Sequence, residues 1–455
     1  MRIEKDFLGN VEIPENVLYG IHAIRAKNNF PCTIRFHKEW YKSIGLVKKA
    51  CYLTYQKFND AVQRHYKTQK IEIRKIKKEV IEFMIISADE VSKGKYFDDF
   101  IIPALQGGAG TSINMNINEI IANATLIKLG KKTGNYNYVH PIEDANIFQS
   151  TNDVIPTALK VTVMQLLNRL ESSVNKLRKL IESKEQIHQN DLRTGYTQLQ
   201  AAVPTSFGKL FSAYNDALSR DWWRISKCSE RIKQVNLGGS AIGTSITVPL
   251  FFVMEVTKTL QHISQLPITR SENLTDATQN LDSFVEIHGI LKAHAVNLSK
   301  IANDLRLLSA DIGTKEIAIP PRQAGSSIMP GKVNPVIPEY IVSASQKIYA
   351  NDTLLTQLCE KGNLELNAYI PLIGHTIIET LKLLIGMNKT MEENLITGLK
   401  IIKKTALENM LKNPSITTAL LHILGYQKAS VLAKTMKENN WNIFEANQAL
   451  KFLPE

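Results

Sequence analysis

Two apolar stripes at helical spacing set the strongest limit on what this chain can fold into. Phe284, Leu291, Leu298 and Leu305 recur every seven residues and interleave with Ile287, His294, Ile301 and Leu308, a heptad held over three to four repeats. Leu159, Val163, Leu166, Leu170, Val174, Leu177 and Ile181 follow one another at spacings of three and four. A helix from Ser283 to Leu308 would be roughly 39 Å long at about 1.5 Å per residue, too long for a compact single layer. Such helices pack side by side, so a mainly α-helical fold is expected, with His294 packed on its stripe rather than acting as a ligand. Trp40 to Glu90 reads as two or three further helices with lysines outward.

Composition narrows the function classes. At 455 residues the chain is long enough for two or three domains. The four cysteines, Cys32, Cys51, Cys228 and Cys359, lie far apart with no Cys-x-x-Cys spacing, which fits a reducing cytoplasm and argues against a structural zinc. The charged start at Met1–Asp6 lacks a signal peptide's apolar core. No run approaches the roughly 18 apolar residues of a membrane span, so neither membrane insertion nor export is expected. The net charge of +12 sits largely on helical faces such as Lys67 to Lys78, without an aromatic-interleaved basic arm, so nucleic acid is not the expected partner. A general basic field favours small dianions instead.

Four polar segments interrupt the helical pattern. Gly325 to Pro335, rich in glycine and proline, is a loop carrying Ser326, Ser327, Lys332 and Asn334. Hydroxyl, ammonium and carboxamide together suit proton abstraction beside a carboxylate, although a surface turn would read alike. Gln106 to Glu119 places three glycines ahead of a helix with asparagines at its start, but lacks a Walker ending or a dinucleotide spacing, so a nucleotide is not expected. Ser150, Thr151, Asn152 and Asp153 precede Pro156 and a long helix; they are either N-cap material or, with the free amides there, a carboxylate cradle. Asn236 to Thr244 follows a helix and reads as a tight interhelical turn.

The loop matches, at every fixed position, the signature Gly-Ser-Ser-x-Met-Pro-x-Lys-x-Asn-Pro, and on it the chain resembles the aspartase/fumarase superfamily. The resemblance extends to Tyr19–Ala26, to Gly108–Asn116, to Ser150–Asp153, to Gly195–Ala202 and to Gly362–Asn367, and so covers nearly the whole chain. It implies a three-domain fold with a central long-helix bundle, here divided as 1–138, 139–397 and 398–455. It also implies a homotetramer whose active sites are shared between subunits, a small dicarboxylate substrate, and no cofactor, with divalent-cation activation as an option. The implied reaction is reversible anti-elimination releasing fumarate, with Ser326 as the base. Thr111, Asn114, Ser150, Thr151, Asn152, Thr197, Gln198, Lys332 and Asn334 would bind substrate.

Within the superfamily the Gly107–Ser112 wording is nearer the aspartases. Gln198, where a histidine often stands, cannot titrate, which favours ammonia over water as the leaving group. A fumarate hydratase, a lyase for another substituted succinate and a catalytically silent relative remain alternatives. Four departures matter: Tyr196 replaces an arginine, Ala201 an aspartate, Ile142 interrupts a His-Pro-Asn-Asp loop, and Ser309–Gly313, shorter by about one residue, stands in place of Ser-Gly-Pro-Arg-x-Gly.

Overall fold

The computed structural model describes residues 1–65 and 75–454, so most of the Lys67 to Lys78 run lies outside the described residues. The chain is mainly α, as its stripes require. The longest helices are Thr151–Ile187, Lys38–His65, Asp282–Ser309 and Val336–Cys359. Sheet structure among the described residues amounts to four two-stranded pairings. Contacts divide the chain into two compact units, one of Met1–Asn168, Ser226–Gly289 and Ala350–Lys382, the other of Arg169–Ile225, Ile290–Tyr349 and Leu383–Glu455.

In the first unit, the antiparallel pair Arg2–Asp6 and Gly9–Ile13 leads to the helix Ile21–Asn29. That helix has no side-chain cap of its own. Its open amides are met by acids from elsewhere: Glu119 accepts from Gly20 N and His22 N, both at 2.8 Å, and Glu4 accepts from Ile21 N at 2.9 Å. A carboxylate at a helix N-terminus satisfies orphan donors and opposes the helix dipole. Gly20 is required there, because a Cβ would lie 2.8 Å from both carboxyl groups. Glu119 belongs to the helix Thr111–Lys128, which this contact anchors. Arg25 is engaged with Asp6 at 2.8 Å, a packing role for the N-terminal arm.

Trp40, Tyr41, Ile44 and Val47 are fully buried in this unit, and Gly374 leaves room for the Trp40 ring, whose Cζ3 would lie 2.3 Å from a Cβ. Ile370–Ile396 is long and apolar enough to cross a membrane by length and composition, although His375, Glu379 and Lys382 break its apolar run. Of its most apolar window, 61% is buried within the protein. Thr380 on it hydrogen-bonds His288 at 2.9 Å and Asn351 at 3.1 Å.

The second unit contains the hairpin of Leu192–Thr197 and Gln200–Ser206, the helix Phe207–Ser226 and a C-terminal helical group. His294 is fully buried and shared between Asp221 (2.9 Å) and Asn388 (3.2 Å), the core position its stripe implied. The C-terminal helices close on Leu432, Met436, Ile443 and Ala446. Asn442 starts the last helix through a capping box, accepting from Glu445 N while Glu445 accepts from Asn442 N.

One buried charge gives a pH-dependent expectation. Lys48 is fully buried, with Nζ 3.2 Å from Asn146 Oδ1, and burial pulls its ammonium down to about 7. Between that pH and the ordinary lysine value, the unfolded chain holds a proton that the folded chain has released, so stability rises with pH across this window. Below it, both states are protonated and the cost of burying the charge is fully present. Lys48→Met is therefore expected to flatten the rise in unfolding free energy between about pH 7 and 10, measured by denaturant titration at stepped pH. Equal slopes in both proteins would contradict the assignment.

Candidate active site

The turn before the helix Thr111–Lys128 runs through three left-handed residues, Gly108 (φ 85°), Ala109 (φ 56°) and Gly110 (φ 89°). This conformation presents the helix start, with Thr111 exposed on the first turn. Asn114, one turn on, is buried; its Nδ2 donates to Asn146 Oδ1 at 3.0 Å and to Thr151 Oγ1 at 3.1 Å. Asn114 and Thr151, predicted from separate segments, are thus in direct contact.

Thr151 begins the longest helix, and its start is built as a reciprocal cap. Asn152 N donates to Ser150 Oγ at 3.2 Å, and Ser150 N donates to Asp153 Oδ1 at 2.9 Å. Asp153 is fully buried, and its other oxygen accepts from Gly238 N (3.2 Å) and Ser240 N (3.0 Å). Burial raises its carboxyl to about 6, against the pull of those three amides. Asn152 Nδ2 is engaged by Ala241 O at 2.8 Å, which leaves its carbonyl oxygen as the acceptor end. Pro156 lacks the N–H that would meet Asn152 O, and Asn236 Nδ2 takes that place at 2.9 Å. The Asn236–Thr244 turn is therefore a clamp on the cradle as well as a connection.

In the second unit, the loop Gly325–Pro335 is closed on itself. Gly325 N donates to Lys332 O at 2.8 Å, and Asn334 Nδ2 donates to Gly325 O at 2.7 Å. Inside that closure, Ser326 Oγ accepts two backbone hydrogen bonds, from Ile328 N at 3.1 Å and Met329 N at 2.9 Å. A cleft of about 360 Å³ opens beside it, lined by Ser326, Met329, Lys332 and Gln323 among others. Thr197 and Gln198 are exposed at the tip of the hairpin, where Gln198 (φ 50°) and Leu199 (φ 61°) both take the left-handed conformation of a tight two-residue turn. The register sets Tyr196 directly opposite Ala201, so the two departures are one cross-strand pair.

Of the sequence-predicted residues, Thr111, Asn114, Ser150, Thr151 and Asn152 belong to the first unit, and Thr197, Gln198, Ser326, Lys332 and Asn334 to the second. Sequence reasoning did not single out Asn146, Arg193 or Glu316. Asn146 lies four residues after Ile142, in the loop that departs from His-Pro-Asn-Asp, whereas Arg193 and Glu316 meet across 123 positions and carry no local signal. Among the described residues, no group of three or more His, Cys, Asp or Glu side chains is arranged to hold a metal ion.

A mainly α protein with a serine-bearing loop and a helix-start cradle is a lyase by its relatives. The family model described as Lyase matches residues 9–350. The chain is 39% identical over 437 residues to the aspartate ammonia-lyase of a Bacillus species, covering 95% of this chain and 90% of that one. It is 36% identical over 451 residues to the aspartate ammonia-lyase of Escherichia coli K12, covering 98% and 91%. The crystal structure of a fumarate lyase:delta crystallin from Brucella melitensis, bound to cobalt, superposes with a TM-score of 0.92 at 34% identity, covering 100% of this chain and 96% of that one. A class II fumarase from Schistosoma mansoni, at 24% identity and a TM-score of 0.88, shares the fold, with 99% and 96% covered. The chain belongs to this lyase family, in the aspartase/fumarase superfamily.

The loop geometry generates a test. A Cβ at Gly325 would lie 2.8 Å from Asn334 N and 2.9 Å from Lys332 O, so Gly325→Ala must open the closure that aims the amides at Ser326. We expect at least a tenfold loss of turnover, about 1.4 kcal/mol of transition-state free energy, without a fall in melting temperature. Wild-type turnover would show that the closure does not matter.

Proposed function

We propose that the protein catalyses the reversible deamination of L-aspartate to fumarate and ammonia, acting as a carbon–nitrogen lyase with Ser326 as its base. The observation that carries this reading is the pair of backbone amides on Ser326 Oγ. A serine hydroxyl is a poor base in water. Two oriented N–H dipoles, the ammonium of Lys332 on the same cleft and, once the exposed loop closes over substrate, exclusion of solvent stabilise the alkoxide that removes the Cβ proton.

The electron pair left by that proton moves into the adjacent carboxylate, giving an aci-carboxylate with an additional negative charge. Thr111, Ser150 and Thr151 stabilise it at the helix start, with Asn114 orienting Thr151 through its 3.1 Å hydrogen bond. Lys332 and Asn334 hold the other carboxylate. The pair then returns to form the Cα–Cβ double bond as the C–N bond breaks on the opposite face. The amine is carried as an ammonium group and departs as neutral ammonia with no proton to be delivered, so the groups facing it, Asn152 and Gln198, need only accept hydrogen bonds. No step is routed through a metal ion.

The active form is a homotetramer in which segments from different subunits complete each site. Support comes from exposed apolar residues on the long helices, Val296 and Leu307 on Asp282–Ser309 and Leu354 on Val336–Cys359. A reducing cytoplasm suits the four free cysteines. The second reading, a lyase for another substituted succinate, is favoured by one observation only, the uncharged Tyr196–Ala201 pair at the base of the Gln198 tip.

Ser326→Ala is expected to cut fumarate formation below about 1% of wild type while scattering still shows a folded tetramer, since loss of one hydroxyl in an exposed loop spares the core. Turnover above that level would remove Ser326 from its role. Succinate is expected to inhibit competitively and Lys332→Met to weaken that inhibition; a non-competitive pattern would contradict the dianion site.

A further inference from the structure

Glu316 takes no part in the chemistry just described, yet it is fully buried and strongly held. Its Oε2 receives Arg193 Nε at 3.2 Å and its Oε1 receives the Tyr196 hydroxyl at 2.8 Å. Burial, and then the carboxylate itself, push the Tyr196 phenol upward, so Tyr196 stays the donor. The Glu316 backbone carbonyl accepts from Ile402 N at 2.8 Å, and the next residues, Ile317–Ala318, pair with Lys400–Ile401. Glu316 is thus fixed from both sides, on a segment that runs on through Pro320 and Pro321 to the Ser326 loop.

The hairpin needs such a fixture. Thr197, Gln198, Leu199 and Gln200 are all exposed, so the tip has little packing of its own. Gln198 and Leu199 both hold the positive φ of the two-residue turn without being glycine, which carries a steric cost that the hairpin must offset. The strand is also irregular just before the tip, with a register shift between Thr194 and Tyr196. Tyr196, the residue before Thr197, ties down one strand of the tip, while on the other Asn413 Nδ2 donates to the backbone of Ala202 at 2.9 Å and the small Ala201 side chain adds no polar tie of its own. Arg193 stacks over the Tyr196 ring at 5.6 Å, which fixes the ring but not the tip beyond it.

We propose that Tyr196 and Glu316 form a positioning pair that holds the Thr197–Gln198 tip in place and thereby sets the enzyme's fit to the substrate amine. The inference rests on the reading of Gln198 as the group facing that amine. It gives Tyr196 a function in this chain: the neutral hydroxyl reaches a carboxylate that is already paired with Arg193, so no unpaired charge is buried.

Tyr196→Phe in the full-length protein tests it, because the ring and its stacking on Arg193 survive while the hydroxyl is lost. Amide hydrogen exchange across 196–201 should quicken by about tenfold or more, the size expected for one hydrogen bond to a charged group, with melting temperature lowered by no more than a few degrees. The KM for L-aspartate should rise by a similar factor, while the inhibition constant of succinate, which has no amine, stays at the wild-type value. A general loosening would weaken both ligands and overturn the pair's specific role, as would an unchanged aspartate KM beside a quickened tip. Wild-type exchange at the tip would overturn the inference outright. The exchange measurement needs no substrate, so a wild-type protein inactive on aspartate would sink the functional reading and leave the exchange result to decide this one.

Discussion

Two backbone amides aimed at one hydroxyl oxygen are what the rest of the loop serves. Ile328 N and Met329 N reach Ser326 Oγ because Gly325 is closed onto Lys332 and Asn334 on either side of it. Gly325 has no side chain to obstruct that closure, and Gly331 supplies the left-handed turn (φ 78°) that brings the chain back. An alkoxide formed here would meet fixed dipoles without any reorganisation at the moment of reaction, which is where electrostatic catalysis gains most. The arrangement is local, and the sequence that builds it is short.

The first unit solves a different problem, that of holding polar groups where little water reaches. Asn146 Oδ1 accepts from Asn114, Asn118 and Lys48 at 3.0, 3.2 and 3.2 Å, while the side-chain oxygens of Asn114 and Asn118 are buried with no partner from the protein itself. An unsatisfied buried acceptor costs about 1–3 kcal/mol. A scaffold designed for stability alone would not keep two beside a buried lysine. Set directly behind Thr151, this network trades stability for a polar wall, the kind of local inconsistency found at functional sites.

Much of this was legible in the sequence. The heptad fixed His294 as a core residue, the glycines and prolines marked the loops, and Ser150 with Asp153 announced a helix start that the structure builds as a reciprocal cap. What stayed hidden depends on long-range pairing. Arg193 and Glu316 are ordinary charges until the fold joins them, and Asp153 reads as a cap residue until Gly238 and Ser240 turn their amides toward it. Tyr196 and Ala201, standing where the superfamily has an arginine and an aspartate, already suggest a lost ion pair in sequence, and the hairpin register sets the two face to face. Local patterns report local structure, and the partners of buried charges are set by packing.

The account's central claim is that elimination here releases ammonia from a substrate whose amine meets hydrogen-bond acceptors rather than a titrating acid. The most direct measurement is the initial rate of fumarate appearance, by its absorbance, from L-aspartate and from L-malate with the same purified protein. The account predicts that kcat/KM for aspartate exceeds that for malate by at least about tenfold, roughly 1.4 kcal/mol in transition-state free energy. Faster conversion of malate, or fumarate from neither substrate, would contradict it.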